Sequence, residues 1–361
     1  MRPYIILNDK SSDEIEGLLI QTLPPISKPE MRVSTEEIDG RDGDITTNLG
    51  FAAYDKTIEI GLTRHYDVDE VINFFNSKGI VTFSNEPDKF YNYEIVKNID
   101  LEKLIHFKKG KVIFHVQPYK YSLTRTPLEF KGAKNLINTP DYYEQRSGLE
   151  LSVQNNTIHA IGESPEVTFI VPIDTINLTP GKYKLNVFVS GTGSTGGQFA
   201  VISDVPTTGT SFGNNFINLI DNKLLNLDAE YSTPKSFNYL YMKFPENVHS
   251  FKLFYQIIKP ETASFKITNC GNVESLPIMT LYGVGATAIY INDTKIFDIN
   301  LGEEEYITID APEMEARKDN VLKNRLVSGD YDKFTLKPGE NVIKYDGFIN
   351  LIKIEKYSRW L

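Results

Sequence analysis

Lys111-Val112-Ile113-Phe114-His115-Val116-Gln117 is the stretch on which the fold class turns. Val112, Phe114 and Val116 fall on one side of an extended chain, and Ile113, His115 and Gln117 on the other. That is the period-two pattern of a strand with one buried face. Pro118 follows, and because proline has no N–H to give a ladder, the strand is expected to close there. The same alternation returns in Thr57–Leu62, Tyr239–Phe244, Ser250–Tyr255, Ala288–Asp293, Tyr306–Asp310 and Asn341–Tyr345. With 40% hydrophobic and 12% aromatic residues, nearly all Tyr and Phe, the chain can bury several such faces, so a mostly β protein is expected. At 361 residues it is longer than one core usually serves, which implies two or three domains.

One helix stands out against the strands. Asp67 is placed to cap it, with Glu70 completing a capping-box pattern. Val68, Val71, Ile72 and Phe75 form an i, i+3, i+4, i+7 stripe, and Gly79 is expected to end the helix as its left-handed residue.

Composition divides the chain in three. Residues 1–130 mix strands with this helix. Between Leu23 and Tyr54 the sequence turns polar, and Asp39-Gly40-Arg41-Asp42-Gly43 reads as the turn of an exposed hairpin arm. Residues 131–264 are richer in Asn, Thr, Ser and Gly, with turn signals between short strands, the pattern of a sandwich or jelly roll. Here Gly191–Gly197 is expected to be a flexible connection, and Tyr239, Tyr241, Phe251 and Phe254 to be core. Residues 265–361 return to alternating strands and tight turns.

Several functions are disfavoured. The net charge is −10 with no basic block, so the electrostatic footprint of a nucleic-acid binder is missing. The single cysteine, Cys270, has no partner for a disulfide and reads as a buried or turn thiol. Asp39, Asp42 and Asp44 lack the spacing of a calcium loop, since Gly50 stands where a bidentate Glu is needed. The five histidines lack zinc spacing, and no phosphate loop, dinucleotide fingerprint or nucleophile elbow is present. Glu303-Glu304-Glu305 and Asp330/Asp332 are carboxylate groupings that any acidic chain offers. No catalytic residue, metal or cofactor is expected. The sequence after Met1 becomes polar too early for a signal peptide, so synthesis and storage in the cytoplasm are expected.

A set of strings, in order, resembles the distal tail (Dit) proteins of siphophages. In the first segment these are Leu23-Pro24-Pro25-Ile26, Gly40-Arg41-Asp42-Gly43, the helix, Ile80–Pro87 with Tyr91, and Phe114–Tyr119. In the last they are Asn269–Ile278, Leu281-Tyr282-Gly283, Ile289–Asn292, Ile309-Asp310, Lys323-Asn324, Leu336–Asn341 and Arg359-Trp360-Leu361. The segment between Tyr121 and Phe265 departs from the short form of that family and is similar to the carbohydrate-binding insert of its long members.

The resemblance implies an N-terminal β-sandwich-like domain (1–130), an inserted jelly-roll module (131–264) and a C-terminal galectin-like β-sandwich (265–361). It also implies a homo-hexameric ring in the virion tail tip of a phage of Gram-positive bacteria, clasped by the arm at Asp39, Gly40, Arg41, Asp42 and Gly43. Its neighbours would be the major tail tube protein, a tail-associated lysin or fibre protein and a receptor-binding protein. DNA would pass through the channel without specific binding, and host cell-wall polysaccharide is a candidate ligand.

Sugar sites pair aromatic faces with amides, because sugar rings have apolar faces and polar edges. Tyr142, Tyr143, Phe212, Asn214, Asn215, Phe216 and Tyr231 are therefore the candidate saccharide-binding residues. The insert's lack of Trp counts against them. Two other readings remain at this stage: a stand-alone carbohydrate-binding protein, and a cell-wall glycan hydrolase.

Overall fold

A computed structural model describes residues 2–361 apart from 41, 64, 76, 98, 104–107, 125, 204–210 and 303–304; the side chains of 100–103 and 108 are also left aside. It is mostly β, with one α-helix among the described residues. Buried apolar residues gather into three clusters, drawn from Ile5–Val116, Ile137–Ile257 and Ile258–Ile354.

The first cluster lies on an antiparallel sheet in which Ile5–Leu7, Lys78–Phe83, Lys89–Glu94, Lys108–Ser122, Tyr54–Leu62 and Leu18–Thr22 are successive neighbours. The opening stretch sits at its centre, with Val112, Phe114 and Val116 fully buried. Pro118 does not end the strand. Pairing to Lys89–Glu94 slips between Val116 and Lys120, and the strand runs on to Ser122. Such a bulge leaves residues out of the ladder, so the missing N–H costs nothing there.

The helix is shorter than its pattern suggests, Val68–Phe74, with the Asp67 side chain accepting from the Asp69 and Glu70 amides at 2.9 and 3.4 Å. Val71, Phe74 and Phe75 are its buried contacts, whereas Ile72 is 48% exposed. Gly79 does not cap it: Gly79 already belongs to the next strand, paired with Tyr93. The Asn8 side chain lies where a Gly79 Cβ would stand. The strand therefore claims the residue before the helix can use it.

The middle cluster fills the space between a six-stranded and a four-stranded antiparallel sheet. Phe169, Phe199, Phe244 and Phe251 are among its largest inward rings. Gly191–Gly197 is not a loose connection. The Asp221 carboxylate accepts from the Gly193 and Ser194 amides at 3.0 and 2.9 Å and from the Ser194 hydroxyl at 2.6 Å. Burial alone would raise this carboxyl's pKa, but those bonds hold it below the ordinary value. Asn222 adds two bonds to the Gly191 backbone. A glycine-rich string reads as mobile only while its partners, some thirty residues on, are unknown.

The last cluster is wrapped by one sheet folded over itself. Its two long strands, Ile278–Ile291 and Gly339–Glu355, pair along most of their length and shift register near Gly283 and Gly347. Gly347, at φ 107°, gives the bend a conformation that side chains resist.

The three units are laced together. Leu128–Lys131 pairs with Leu351–Ile354 of the last sheet, and Arg359–Trp360 pairs back onto Lys120 and Tyr121 of the first. The outer face of the six-stranded sheet lies on the last unit in three rows. Phe254 and Phe188 meet Phe348 and the bare backbone of Gly285, where a Cβ would stand 2.6 Å from the Phe188 ring. Gln256 donates to the Gly347 carbonyl at 2.6 Å, and Lys184 reaches Asp346 at 2.6 Å. Between these, Asn186 is fully buried with neither amide atom partnered, which costs on the order of 1–3 kcal/mol.

Phe188→Ala is expected to weaken this seam by about 3–5 kcal/mol, because a full ring is lost and Gly285 offers nothing to refill the space. Denaturant unfolding followed by tyrosine fluorescence should show it; a loss below about 1 kcal/mol would contradict the packing.

Candidate functional site

Among the described residues, Met31–Glu37 and Asp44–Phe51 pair only with each other and form a two-stranded ribbon. Every residue of the first strand is exposed. Met31 and Val33 lie on one face and Ile45, opposite Glu36, on the other; these three and Leu49 are 38–53% exposed. The turn holds Asp39, Gly40, Asp42 and Gly43, all exposed, with both glycines at positive φ. Arg41 lies outside the described residues. Isolated ribbons of this kind are marginal in water, so the arm's geometry depends on its base.

The base is a buried ionic knot. Lys56 continues the inward alternation of Ile58 and Ile60 and is only 3% exposed. Its ammonium donates to the Pro25 carbonyl at 2.9 Å and lies 4.9 Å from the Tyr91 ring centroid. Asn85 donates to the Pro24 carbonyl at 3.0 Å, so both prolines are held from below. Lys120 and the Tyr91 hydroxyl both donate to the Glu86 carboxylate, each at 2.6 Å.

Burial pushes the Lys56 amine down to about 8, against the attraction of Glu86. Burial would raise the Glu86 carboxyl, but its bonds from Lys120 and Tyr91 outweigh that and hold it low. The resemblance had marked Pro24, Pro25, Asn85 and Glu86 as strings, yet not that they meet. Lys56 carries its own sequence signal, since its parity with Ile58 and Ile60 places it inside.

The candidate saccharide residues separate into three groups. Phe212 and Tyr231 are core: Phe212 is fully buried, 6.0 Å from both the Tyr231 and Phe237 rings, and Tyr231 is 8% exposed. Phe212 has no face left for a sugar, whereas the small exposed part of Tyr231 lines a polar pocket of about 350 Å³ beside Asn214 and Asp228. They hold up a turn, with the Gly213 amide donating to the Tyr231 hydroxyl at 2.9 Å, that presents exposed Asn214, Asn215 and Phe216. Tyr142 and Tyr143 sit apart, on the opposite edge strand of the six-stranded sheet from Leu224–Tyr231. Tyr143 is 63% exposed, while Tyr142 packs on the core and donates to Glu144 at 2.5 Å.

Tyr239 and Tyr241, expected in the core, point outward from the four-stranded sheet, where Leu240 and Met242 take the inward places. Phe251 is core as expected; Phe254 lies instead in the seam with the last unit. The exposed Phe216 ring stands edge-on to Tyr241 at 5.2 Å and 74°, beside Gln198 and Asn218 across the strands. Alternation showed that Tyr239 and Tyr241 share a face, but with Leu240 and Met242 between them it could not say which face was inner.

Among the described residues, no group of three or more His, Cys, Asp or Glu side chains is placed to hold a metal ion. Cys270 is an exposed turn thiol. No described helix is long and apolar enough to cross a membrane. Glu303 and Glu304 lie outside the described residues; Asp330 pairs with Lys333 at 2.9 Å.

No family model and no curated protein matches this sequence. Among solved structures, the chain is similar to the SPP1 Dit (gp 19.1) protein, described as a paradigm of hub adsorption apparatus in Gram-positive infecting phages. Identity is 11%, coverage 99% of this chain and 100% of that one, and the TM-score 0.48. It is similar to a chain of the phage P2 baseplate in its activated conformation with calcium, at 10% identity, 99% coverage of both chains and a TM-score of 0.34. It is also similar to the N-terminal CBM22-1-CBM22-2 tandem domain of Paenibacillus barcinonensis Xyn10C, at 8% identity, 63% of this chain, 98% of that one and a TM-score of 0.20.

Two outcomes follow for the arm's base. Glu86→Gln leaves two buried ammonium groups without their counter-charge and is expected to cost about 3–5 kcal/mol in denaturant unfolding. Between pH 8 and 10.5 the unfolded chain keeps a proton on Lys56 that the folded chain has lost, so folding gains stability as pH rises through that window. Lys56→Met removes this dependence. Its stability relative to the parent should be greatest below pH 8 and shrink towards pH 10.5; a constant difference would contradict a buried amine.

Proposed function

We propose that the chain is the distal tail hub of a siphophage that infects Gram-positive bacteria, a structural and adhesive protein and not an enzyme. In this reading residues 1–130 close a homo-hexameric ring between the major tail tube protein and the tail-associated lysin or fibre protein. Residues 265–361 face outward to dock the receptor-binding protein. Residues 131–264 are an inserted module for host cell-wall saccharide, and DNA passes through the ring without specific binding. The copy number and the neighbours come from the resemblance of the sequence strings.

The observation that carries the reading is the free ribbon Met31–Phe51, whose Met31, Val33, Ile45 and Leu49 side chains stay exposed among the described residues. A neighbouring copy supplies their cover in a closed ring. The outward Phe216–Tyr241 pair, flanked by Gln198 and Asn218, favours the saccharide role for the insert. Six such sites on one ring turn modest affinity into firm attachment.

Native mass measurement of the full chain is expected to give a particle of six chain masses, and replacing 31–51 with a short turn should reduce it to monomer. A monomer from the intact chain, with tail tube protein supplied, would defeat the ring. Because the insert is wedged on Phe348 and Gly285, point variants serve better than excision. Phe216→Ala with Tyr241→Ala should lower binding to purified host walls about tenfold, the worth of about 1.4 kcal/mol of ring contact. Unchanged binding removes the saccharide role from this face.

A further inference from the structure

We propose that the cleft between the middle sandwich and the last sheet binds a hydroxyl-rich anion, a sugar acid or sugar phosphate. It is separate from the Phe216–Tyr241 face. The cleft measures about 490 Å³, within the range of small-molecule sites, roughly 300–1,000 Å³. One wall is the edge strand Leu224–Tyr231 with the turn before it, and the other is formed by residues of Ile278–Ile291, Thr294–Gly302 and the turn Asn324–Leu326.

The cleft arises because the docking rows run out of contact at their outer ends. Gln256, Asn186 and Asn226 stand in register across three adjacent strands and so share one face. Gln256 is bonded to the last unit, Asn186 is sealed in the seam, and Asn226 emerges as cleft wall. Asn186 lacks every hydrogen bond its amide can make, and it stands one strand, about 4.8 Å, behind that wall. Asn226, by contrast, is exposed and lines the cleft, where its amide can meet a ligand hydroxyl.

Charge selects the ligand's sign. Both cleft carboxylates are engaged: Asp346 with Lys184 at 2.6 Å and the Tyr290 hydroxyl at 3.4 Å, and Asp298 with Lys295 at 2.6 Å. Lys223 on one wall and Arg325 on the other have no ion-pair partner among the described residues. In a chain of net charge −10, the cleft thus offers two cations, one on each wall, with no ion-pair partner among the described residues. Lys223 is carried by a pre-set turn, since Asn222 is tied to Gly191 and Asp221 to the Gly193–Thr195 backbone and side chains. Asn300 and Ser328 supply further hydrogen-bonding groups for hydroxyls.

The test is titration of the full chain with glucuronate, glucose 6-phosphate and glucose, read by calorimetry at low salt and by amide shifts. Both anions should bind, with glucose about tenfold weaker or worse, and added salt should weaken the anions alone. Preference between the two anions tells carboxylate from phosphate. Lys223→Ala and Arg325→Ala, both at exposed positions, should keep the thermal transition and each lower anion affinity about tenfold. Tyr241→Ala should leave it unchanged, so failure of the aromatic face and failure of the cleft are distinguishable. Equal binding of glucose, unchanged affinity in both cation variants, or no binding of either anion would overturn the proposal.

Discussion

A two-stranded ribbon has no interior, and that constraint governs how the rest of this protein is used. Backbone pairing satisfies its N–H and C=O groups, but apolar side chains on both faces stay wet until another surface arrives. Only the base can be fixed by the chain itself. Here the fixing is electrostatic: Lys56 grips Pro25, Asn85 grips Pro24, and Glu86 balances Lys120 close by. Buried ion pairs add little net stability, yet removing one member is severe. Such a knot therefore specifies direction more than it adds strength, which suits a part proposed to point at a neighbour.

The lacing of the units extends the same rigidity outward. The final residues return to the first sheet beside Lys120, the same strand that feeds the knot. The middle sandwich does not hang on a tether; it is wedged by Phe188 against Gly285 and Phe348. Any site it carries is consequently held at a fixed angle to the arm. In the proposed ring, fixed geometry would let repeated weak sites act together, because a surface would be met by all copies at once.

Much of this was legible in the sequence and some was not, for particular reasons. The strand faces at Val112, Phe114 and Val116 follow from alternation, and the ribbon from its polar, glycine-marked turn. Alternation fixes which residues share a face, not which face is inner, and at Tyr239 and Tyr241 the inner face belongs to Leu240 and Met242 instead. Local signals also mislead where a distant partner decides. Asp221 turns a glycine string into a rigid turn, the strand at Lys78–Phe83 takes Gly79 from the helix, and a bulge carries the chain through Pro118. Among the candidate sugar residues, composition selected Phe212 and Tyr231 beside Asn214 and Asn215, but only packing shows the first two supporting the turn that displays the others.

The central claim is that the ribbon is a contact between copies. Hydrogen–deuterium exchange of the Met31–Phe51 amides and of the sheet they spring from, followed as the protein is concentrated, tests it most directly. The account has the ribbon exchanging fast in dilute monomer and becoming protected in step with assembly, while Val112–Val116 stay protected throughout. Assembly that forms with the ribbon still exchanging freely would contradict it.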